Sequence, residues 1–171
     1  MSDLLPNLSE LSQIRGNDRA FLLRVVQPGL AGLMDGSVST LAPIFATAFA
    51  THQSHTVFLI GAAAAVGAGI SMAFSEGLSD DGELTGRGNP IFRGLVTGAM
   101  TFLGGFLHTL PFLIANVHTA LMWAYLVVGI ELLVIAWIRY RYFKTSFALS
   151  CVQVIIGGGL VFAAGVLIGS A

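Results

Sequence analysis

The 171-residue chain is 55% hydrophobic and 10% charged, its mean hydropathy is +0.82, and its formal net charge is −1. Soluble domains usually contain about 25% charged residues, so this composition excludes a soluble catalytic domain and indicates a membrane protein that is not an enzyme. The net charge gives no sign of a nucleic-acid partner, and we predict none. The single cysteine, Cys151, lies in an apolar stretch and is interpreted as a small core residue.

The first 24 residues are more polar than the rest and are predicted to form a cytoplasmic segment. Leu4, Leu8, Leu11 and Ile14 recur at three- to four-residue intervals with polar residues between them. This spacing is typical of a short amphipathic helix that lies on the bilayer or on the protein. We assign residues 1–24 to this segment and residues 25–171 to a single membrane domain.

Long apolar stretches predict an all-α integral membrane protein with five spans. A spanning helix needs about 20 apolar residues. The polar turn at residues 51–56 and the loop at residues 79–90 divide stretches that are too long for one span. The predicted spans are 25–51, 57–78, 90–113, 117–138 and 145–171.

All arginines and lysines fall on one side of this predicted topology. With the N-terminus in the cytoplasm, all eight basic residues are cytoplasmic. Loops rich in arginine and lysine remain in the cytoplasm, so the pattern predicts a cytoplasmic N-terminus and an extracytoplasmic or lumenal C-terminus.

Each predicted span carries a polar or sulfur-containing side chain at a similar depth. A rise of about 1.5 Å per residue puts five of these side chains about 12–16 Å from the cytoplasmic edge and Glu76 about 6 Å from it. The five are Asp35, Met72, Thr101, Glu131 and Gln153. Met72 and Glu76 stand at i, i+4 and share one helix face. The hypothesis is that these groups converge.

Asp35, Met72 and Glu76 are the candidate metal ligands. Two carboxylates with a thioether suit a borderline divalent cation such as Fe²⁺. The carboxylates would also bind protons when the metal leaves, which would couple transport to a proton gradient. The alternatives are that Met72 packs in the core and that Glu76, one turn from the loop, faces water. Asp35 lies deep in a span with no basic residue nearby.

Glu131, Thr101 and Ser39 are candidate proton or pathway residues. Glu131 has two open interpretations, a hydrogen bond across helices or proton transport. All four histidines are predicted near the side opposite the basic residues, as a weak exit site or a polar turn. The predicted depths place His108 and Glu131 in opposite halves of the membrane, which argues against an intramembrane enzyme that uses both.

Two motifs resemble those of the vacuolar iron transporter family: Gly32-Leu-Met-Asp-Gly-Ser-Val-Ser-Thr40 and Gly69-Ile-Ser-Met-Ala-Phe-Ser-Glu76. The resemblance covers nearly all of residues 20–171. It looks closest to the membrane part of the bacterial membrane-bound ferritin-type iron exporters, which are similar in QPGLAGLMDGSVSTLAPIFATAF and the closing LVFAAGVLIGS.

The resemblance implies a homodimer, in a bacterial inner membrane, that exports Fe²⁺ or Mn²⁺ in exchange for protons. It implies that Asp35, Met72 and Glu76 are pathway residues and that the metal is a substrate and not a permanently bound cofactor. Eukaryotic members insert a glutamate-rich metal-binding domain where this chain has only the loop 79–90. Ferritin-type exporters carry a ferritin-like domain where only about 24 residues precede the first span.

We therefore compare two functions. The first is a divalent-metal/proton antiporter. The second is a non-transporting membrane scaffold that anchors a separate iron-storage protein. Metal-dependent proton flux is required by the first and absent from the second.

Overall fold

The computed structural model of the protein describes residues 17–171, and all regular structure in this part of the chain is helical. Five helices are long and apolar enough to cross a membrane, which confirms the predicted all-α, five-span architecture. Their bounds are Asn17–Thr51, Ser54–Gly77, Pro90–Leu107, Val117–Phe143 and Phe147–Gly169. The predicted amphipathic helix, which contains Leu4, Leu8, Leu11 and Ile14, lies outside the described residues.

The first span is a composite helix. It contains a π-helical turn at Leu22–Val26, an α-helix at Gln27–Ser39 and a second α-helix at Leu41–Thr51. The boundary that we placed between residues 24 and 25 lies inside the π-helical turn. At the break, the Thr40 amide is directed to the Val38 carbonyl and the Thr40 hydroxyl donates to Gly36 O at 2.9 Å. This hydroxyl takes the place of the amide that would reach Gly36 O in an unbroken helix.

Two predicted span ends are wrong. The third span ends at Leu107 instead of residue 113, and Leu110–Leu113 forms a separate 3-10 turn. Pro111 has no amide to continue the helix, which explains the change of geometry there. The fourth span continues to Phe143, five residues past the predicted end, and stops where Lys144 takes a left-handed conformation. The segment after Arg139 was predicted to be a loop, but it is the last turn of the helix.

The third span is packed between the first and the second. A Cβ added at Gly36 would overlap the Thr101 carbonyl, and one added at Gly98 would lie 2.6 Å from Gly69 O. Only glycine allows the backbones to approach this closely. The third span therefore contacts the first span on one side and the second span on another.

Two apolar clusters complete the bundle. One joins residues 41–48 of the first span to the start of the second, the 3-10 turn and the start of the fourth. The other brings Leu30 and Leu33 of the first span against Ile135 of the fourth and Val154 of the fifth.

The basic residues between positions 17 and 171 lie at one end of the bundle, here named the basic end. Arg24 contacts Gly88 in the loop after the second span. Gln27 lines a cavity together with Arg139 and Phe143 from the end of the fourth span. The starts of the first and third spans and the end of the fourth therefore meet at this end.

Candidate ion pathway and buried polar groups

Asp35 lies on the face of the first span that the bundle covers least. Gly32 and Gly36 contact the third span, and Leu30 and Leu33 pack against the fourth and fifth. Ala31, Asp35 and Ser39 recur at i, i+4 on the remaining face, where Ala31 and Ser39 are exposed and Asp35 is half-buried. Within residues 17–171, no basic side chain pairs with Asp35. The carboxylate therefore faces away from the core of its own chain.

Met72 and Glu76 lie on the helix Ser54–Gly77 at the predicted i, i+4 spacing. Both are half-buried. The neighbouring Ala73 packs against Gly94 and Gly98 of the third span. The two candidate ligands therefore lie beside the contact between the second and third spans.

Glu76 is paired with two arginines. Its Oε1 accepts 2.6 Å from Arg87 Nη2 and 2.8 Å from Arg93 Nε. The Arg93 side chain is completely buried, although it begins the third span at the basic end. Its remaining donors reach Gly88 O at 3.0 Å and Asp80 O at 3.3 Å. We name Glu76, Asp80, Arg87 and Arg93 the arginine clasp.

The arginine clasp gives the loop 79–89 its conformation. Asp80 Oδ2 accepts from Arg87 Nη1 at 3.0 Å, and Asp80 Oδ1 lies 3.2 Å from Arg93 Nη2. Desolvation raises the pKa of Asp80, but the charge of Arg93 and hydrogen bonds from Gly82, Thr85 and Arg87 outweigh it, so the pKa is lowered overall. The negative charges of Glu76 and Asp80 are thus balanced by two guanidinium groups.

This pairing was not part of the sequence prediction. We considered a metal ligand or a water-facing carboxylate for Glu76. The sequence did contain one indication of these ion pairs. Arg87 and Arg93 flank the helix cap Asn89-Pro90 soon after the second span, so they lie close to Glu76 along the chain. Asn89 Oδ1 accepts from the Phe92 amide at 3.1 Å, which orients the start of the third span.

Thr101 and Ser39 occupy different environments. Thr101 is fully buried, and its hydroxyl donates to Thr97 O of its own helix at 2.9 Å. Its backbone is the surface on which Gly36 packs. Ser39, by contrast, is exposed on the Asp35 face. Gln153, the polar group assigned to the fifth span, accepts from Arg139 Nη2 at 2.7 Å.

His108 and Glu131 do not lie in opposite halves of the membrane, and our prediction of their depths was wrong. His108 Nδ1 is 3.0 Å from Glu131 Oε2, and both side chains are buried. The third span ends early at Leu107, and the fourth continues to Phe143, so counting from the predicted ends misplaced both residues. Glu131 lies 12 residues before Phe143, which is about 18 Å from that end of the helix.

Thr40 extends this contact into a chain of three residues. Thr40 Oγ1 is 2.8 Å from His108 Nε2, and Thr40 is 1% exposed. The break in the first span, the end of the third span and the middle of the fourth are thus joined by buried hydrogen bonds. We name Thr40, His108 and Glu131 the buried polar chain.

No three side chains of histidine, cysteine, aspartate or glutamate come together as a metal-binding group in residues 17–171. The predicted ligand set contains two residues of these types, Asp35 and Glu76. One copy of the described bundle therefore supplies a partial set, and Glu76 is already bonded to arginine.

A scan of family models matches the VIT family over residues 75–170, more than half of the chain. The chain belongs to the VIT family. This agrees with the resemblance to vacuolar iron transporters, whose members move metal ions across membranes. The match includes Glu76 and the buried residues His108 and Glu131, and it begins after Asp35 and Met72. No curated protein and no solved structure matched the chain.

Membership of the VIT family argues against the alternative of an intramembrane enzyme that uses His108 and Glu131. The contact between His108 and Glu131 makes that alternative geometrically possible, but the members of this family are transporters and not enzymes. We therefore interpret the buried polar chain within a transport function.

Proposed function

We propose that the protein exports Fe²⁺, with Mn²⁺ as a second substrate, from the cytoplasm by exchange for protons. The observation that carries the proposal is the position of Asp35, a carboxylate deep in a span on the face that residues 17–171 cover least. A carboxylate at such a depth is costly unless it meets water, a cation or another polar group. VIT family membership makes a divalent metal ion the suitable cation.

The proposed orientation in the membrane is supported by the basic end. Arginine and lysine concentrate on the cytoplasmic side of membrane proteins, so the basic end is cytoplasmic in this proposal. The arginine clasp then lies at the cytoplasmic entrance of the proposed metal pathway, and the metal leaves on the extracytoplasmic side. The suggested location is a bacterial inner membrane, where an inward proton gradient would drive export.

A homodimer would complete the ligand set. Asp35 from two copies, related by a two-fold axis, would provide two carboxylates facing one another across the uncovered faces. Met72 of each copy would add a soft thioether ligand that suits Fe²⁺. Within this proposal the metal is cargo, and no permanently bound cofactor is needed.

Glu76 has a separate role in the proposal. Because Arg87 and Arg93 already neutralise it, a cation gains little from Glu76 while the arginine clasp is closed. A metal ion at the cytoplasmic entrance would have to exchange with at least one guanidinium. Glu76 is thus assigned to entry, and Asp35 and Met72 to the site inside the membrane.

The test uses the full chain in proteoliposomes that contain a metal-sensitive dye. Asp35→Asn keeps the size of the side chain and removes its charge, so metal flux should be lost while the protein still purifies as a folded species. Asp81→Asn is the matched control, because Asp81 is an exposed loop carboxylate that, within residues 17–171, accepts only from the Glu83 amide. Normal Fe²⁺ flux in Asp35→Asn would contradict the site.

The alternative function is a non-transporting scaffold that anchors a separate iron-storage protein. It is favoured by the lack of a complete metal-binding group in the described part of a single chain. The same assay separates the two functions, because a scaffold gives neither metal flux nor metal-driven proton flux in the wild type.

A further inference from the structure

The buried polar chain contains one oxygen without a partner. Glu131 Oε1 is buried and has no hydrogen-bond partner among residues 17–171, and the Glu131 side chain is 6% exposed. A buried carboxylate oxygen without a donor is costly. Its other oxygen, Oε2, is held by His108. Binding a proton at this oxygen would remove the buried negative charge of the carboxylate, which is the larger part of that cost.

The hydrogen-bond pattern determines how many protons the pair already holds. The Thr40 hydroxyl has one proton, which it donates to Gly36 O where the backbone bond is missing. It can then only accept from His108, so His108 Nε2 carries a proton. His108 Nδ1 and Glu131 Oε2 share a second proton. The pair is either imidazolium with carboxylate or imidazole with carboxylic acid, and both states are neutral overall.

We infer that His108 and Glu131 form an exchangeable proton-binding site inside the membrane, with Glu131 Oε1 as the vacant position and Thr40 as the residue that fixes the histidine protonation. Uptake forms an O–H bond at Oε1 and changes the charge of the pair from zero to +1. Release breaks that bond and returns the proton to water on the other side of the membrane. That this proton is the one exchanged for metal rests on the proposed function.

The site is separate from the proposed metal ligands. Within residues 17–171, His108 and Glu131 form hydrogen bonds or ion pairs with no ionisable side chain other than each other. The other titratable and charged groups on the same or packed helices are Asp18, Arg19, Arg24, Asp35, His55, Glu76, Arg93, His118, Tyr125, Arg139, Tyr140, Arg141, Tyr142 and Cys151. Thr40 lies five residues after Asp35 on the first span and contacts His108. A change in the charge of the His108–Glu131 pair therefore acts, through Thr40, on the helix that carries the proposed metal ligand Asp35.

Glu131→Gln tests the site in proteoliposomes that contain both a pH dye and a metal dye. We expect loss of metal-driven proton flux, whereas metal still moves down its own gradient and no longer responds to a pH gradient. Glu83→Gln is the matched control, an exposed loop residue with the same change of chemistry, and it should retain wild-type coupling. An unchanged number of protons per metal in Glu131→Gln would overturn the proposal.

Infrared difference spectroscopy tests the proton site without relying on transport. At acidic pH the spectra of the purified wild type and of Glu131→Gln should differ by one protonated carboxyl band, that of Glu131, because the other carboxyl groups contribute equally to both. His108→Gln removes the imidazole from Glu131 Oε2, so the frequency of the Glu131 band should shift. Identical carboxyl absorption in wild type and Glu131→Gln, or an unshifted Glu131 band in His108→Gln, contradicts the site. If the wild type moves no metal but shows these bands, the proposed function fails and the proton site stands.

Discussion

Arg93 Nε lies 2.8 Å from Glu76 Oε1, and the arginine side chain is completely excluded from solvent. Breaking a buried ion pair by neutralising one partner leaves the other charge uncompensated. Glu76→Gln should therefore lower the free energy of unfolding by about 3 kcal/mol, the lower end of the range for a buried pair, because Asp80 still contacts Arg93. Denaturation in detergent measures this change.

Glu83→Gln is the control for this prediction, because Glu83 is exposed and its carboxylate is outside the arginine clasp. It should be neutral within about 0.5 kcal/mol. Equal stabilities of Glu76→Gln and wild type would show that the clasp contributes nothing to folding.

The contact of Gly36 with Thr101 leads to a prediction about packing. A methyl group at Gly36 would overlap the Thr101 carbonyl, so Gly36→Ala must separate the first and third spans. We expect a loss of about 3 kcal/mol, the upper end of the cost of overpacking. Gly129→Ala is the matched control, because nothing lies within 4 Å of a Cβ at that position. If both variants unfold at the same temperature, the close approach of the two helices is wrong.

The lowered pKa of Asp80 leads to a pH dependence. A carboxyl group with a folded-state pKa below its ordinary value of 3.8 contributes stability above that value and loses it as pH falls through the folded-state pKa. The melting temperature should therefore fall more steeply in acid for the wild type than for Asp80→Asn. Asp81→Asn should follow the wild-type curve. Parallel curves for wild type and Asp80→Asn would contradict the ion pairs of Asp80.

Thr40→Val tests the break in the first span. The change keeps the shape of the side chain and removes both the bond to Gly36 O and the contact with His108 Nε2. We expect a loss of about 1–3 kcal/mol, because two buried polar groups lose a partner. Thr47→Val removes only a bond to Pro43 O of the same helix and should cost about 1 kcal/mol or less. Similar effects in the two variants would argue against the cross-helix bond.

The sequence predicted the five spans because apolar length and interrupting polar turns are local properties. Gly61, Ala65 and Gly69 stand at four-residue spacing, and such small residues leave a flat helix face for close packing. The sequence did not predict which helices these residues meet, because the choice of neighbour depends on three-dimensional arrangement.

The candidate site was harder to predict than the fold. Depth counting assumes known span ends, and errors of five and six residues were enough to separate His108 from Glu131. Glu76 was treated as a group of one helix, whereas its partners come from the loop and the next span. Asp35 was placed in the middle of a span, but only the packing of Gly36 and Leu33 shows which way it faces.

On either side of the break at Thr40, the first span makes its closest backbone contacts with a different helix. Before it, Gly32 and Gly36 pack against the third span. After it, Ala42 and Ala46 pack against the fifth span, where a Cβ added at Gly165 or Gly169 would lie 2.9 Å or 2.8 Å from their Cα atoms. The first span thus connects the third span to the fifth. Any tilt of the third span against the fifth would bend the first span at residue 40, where it already departs from regular helical geometry.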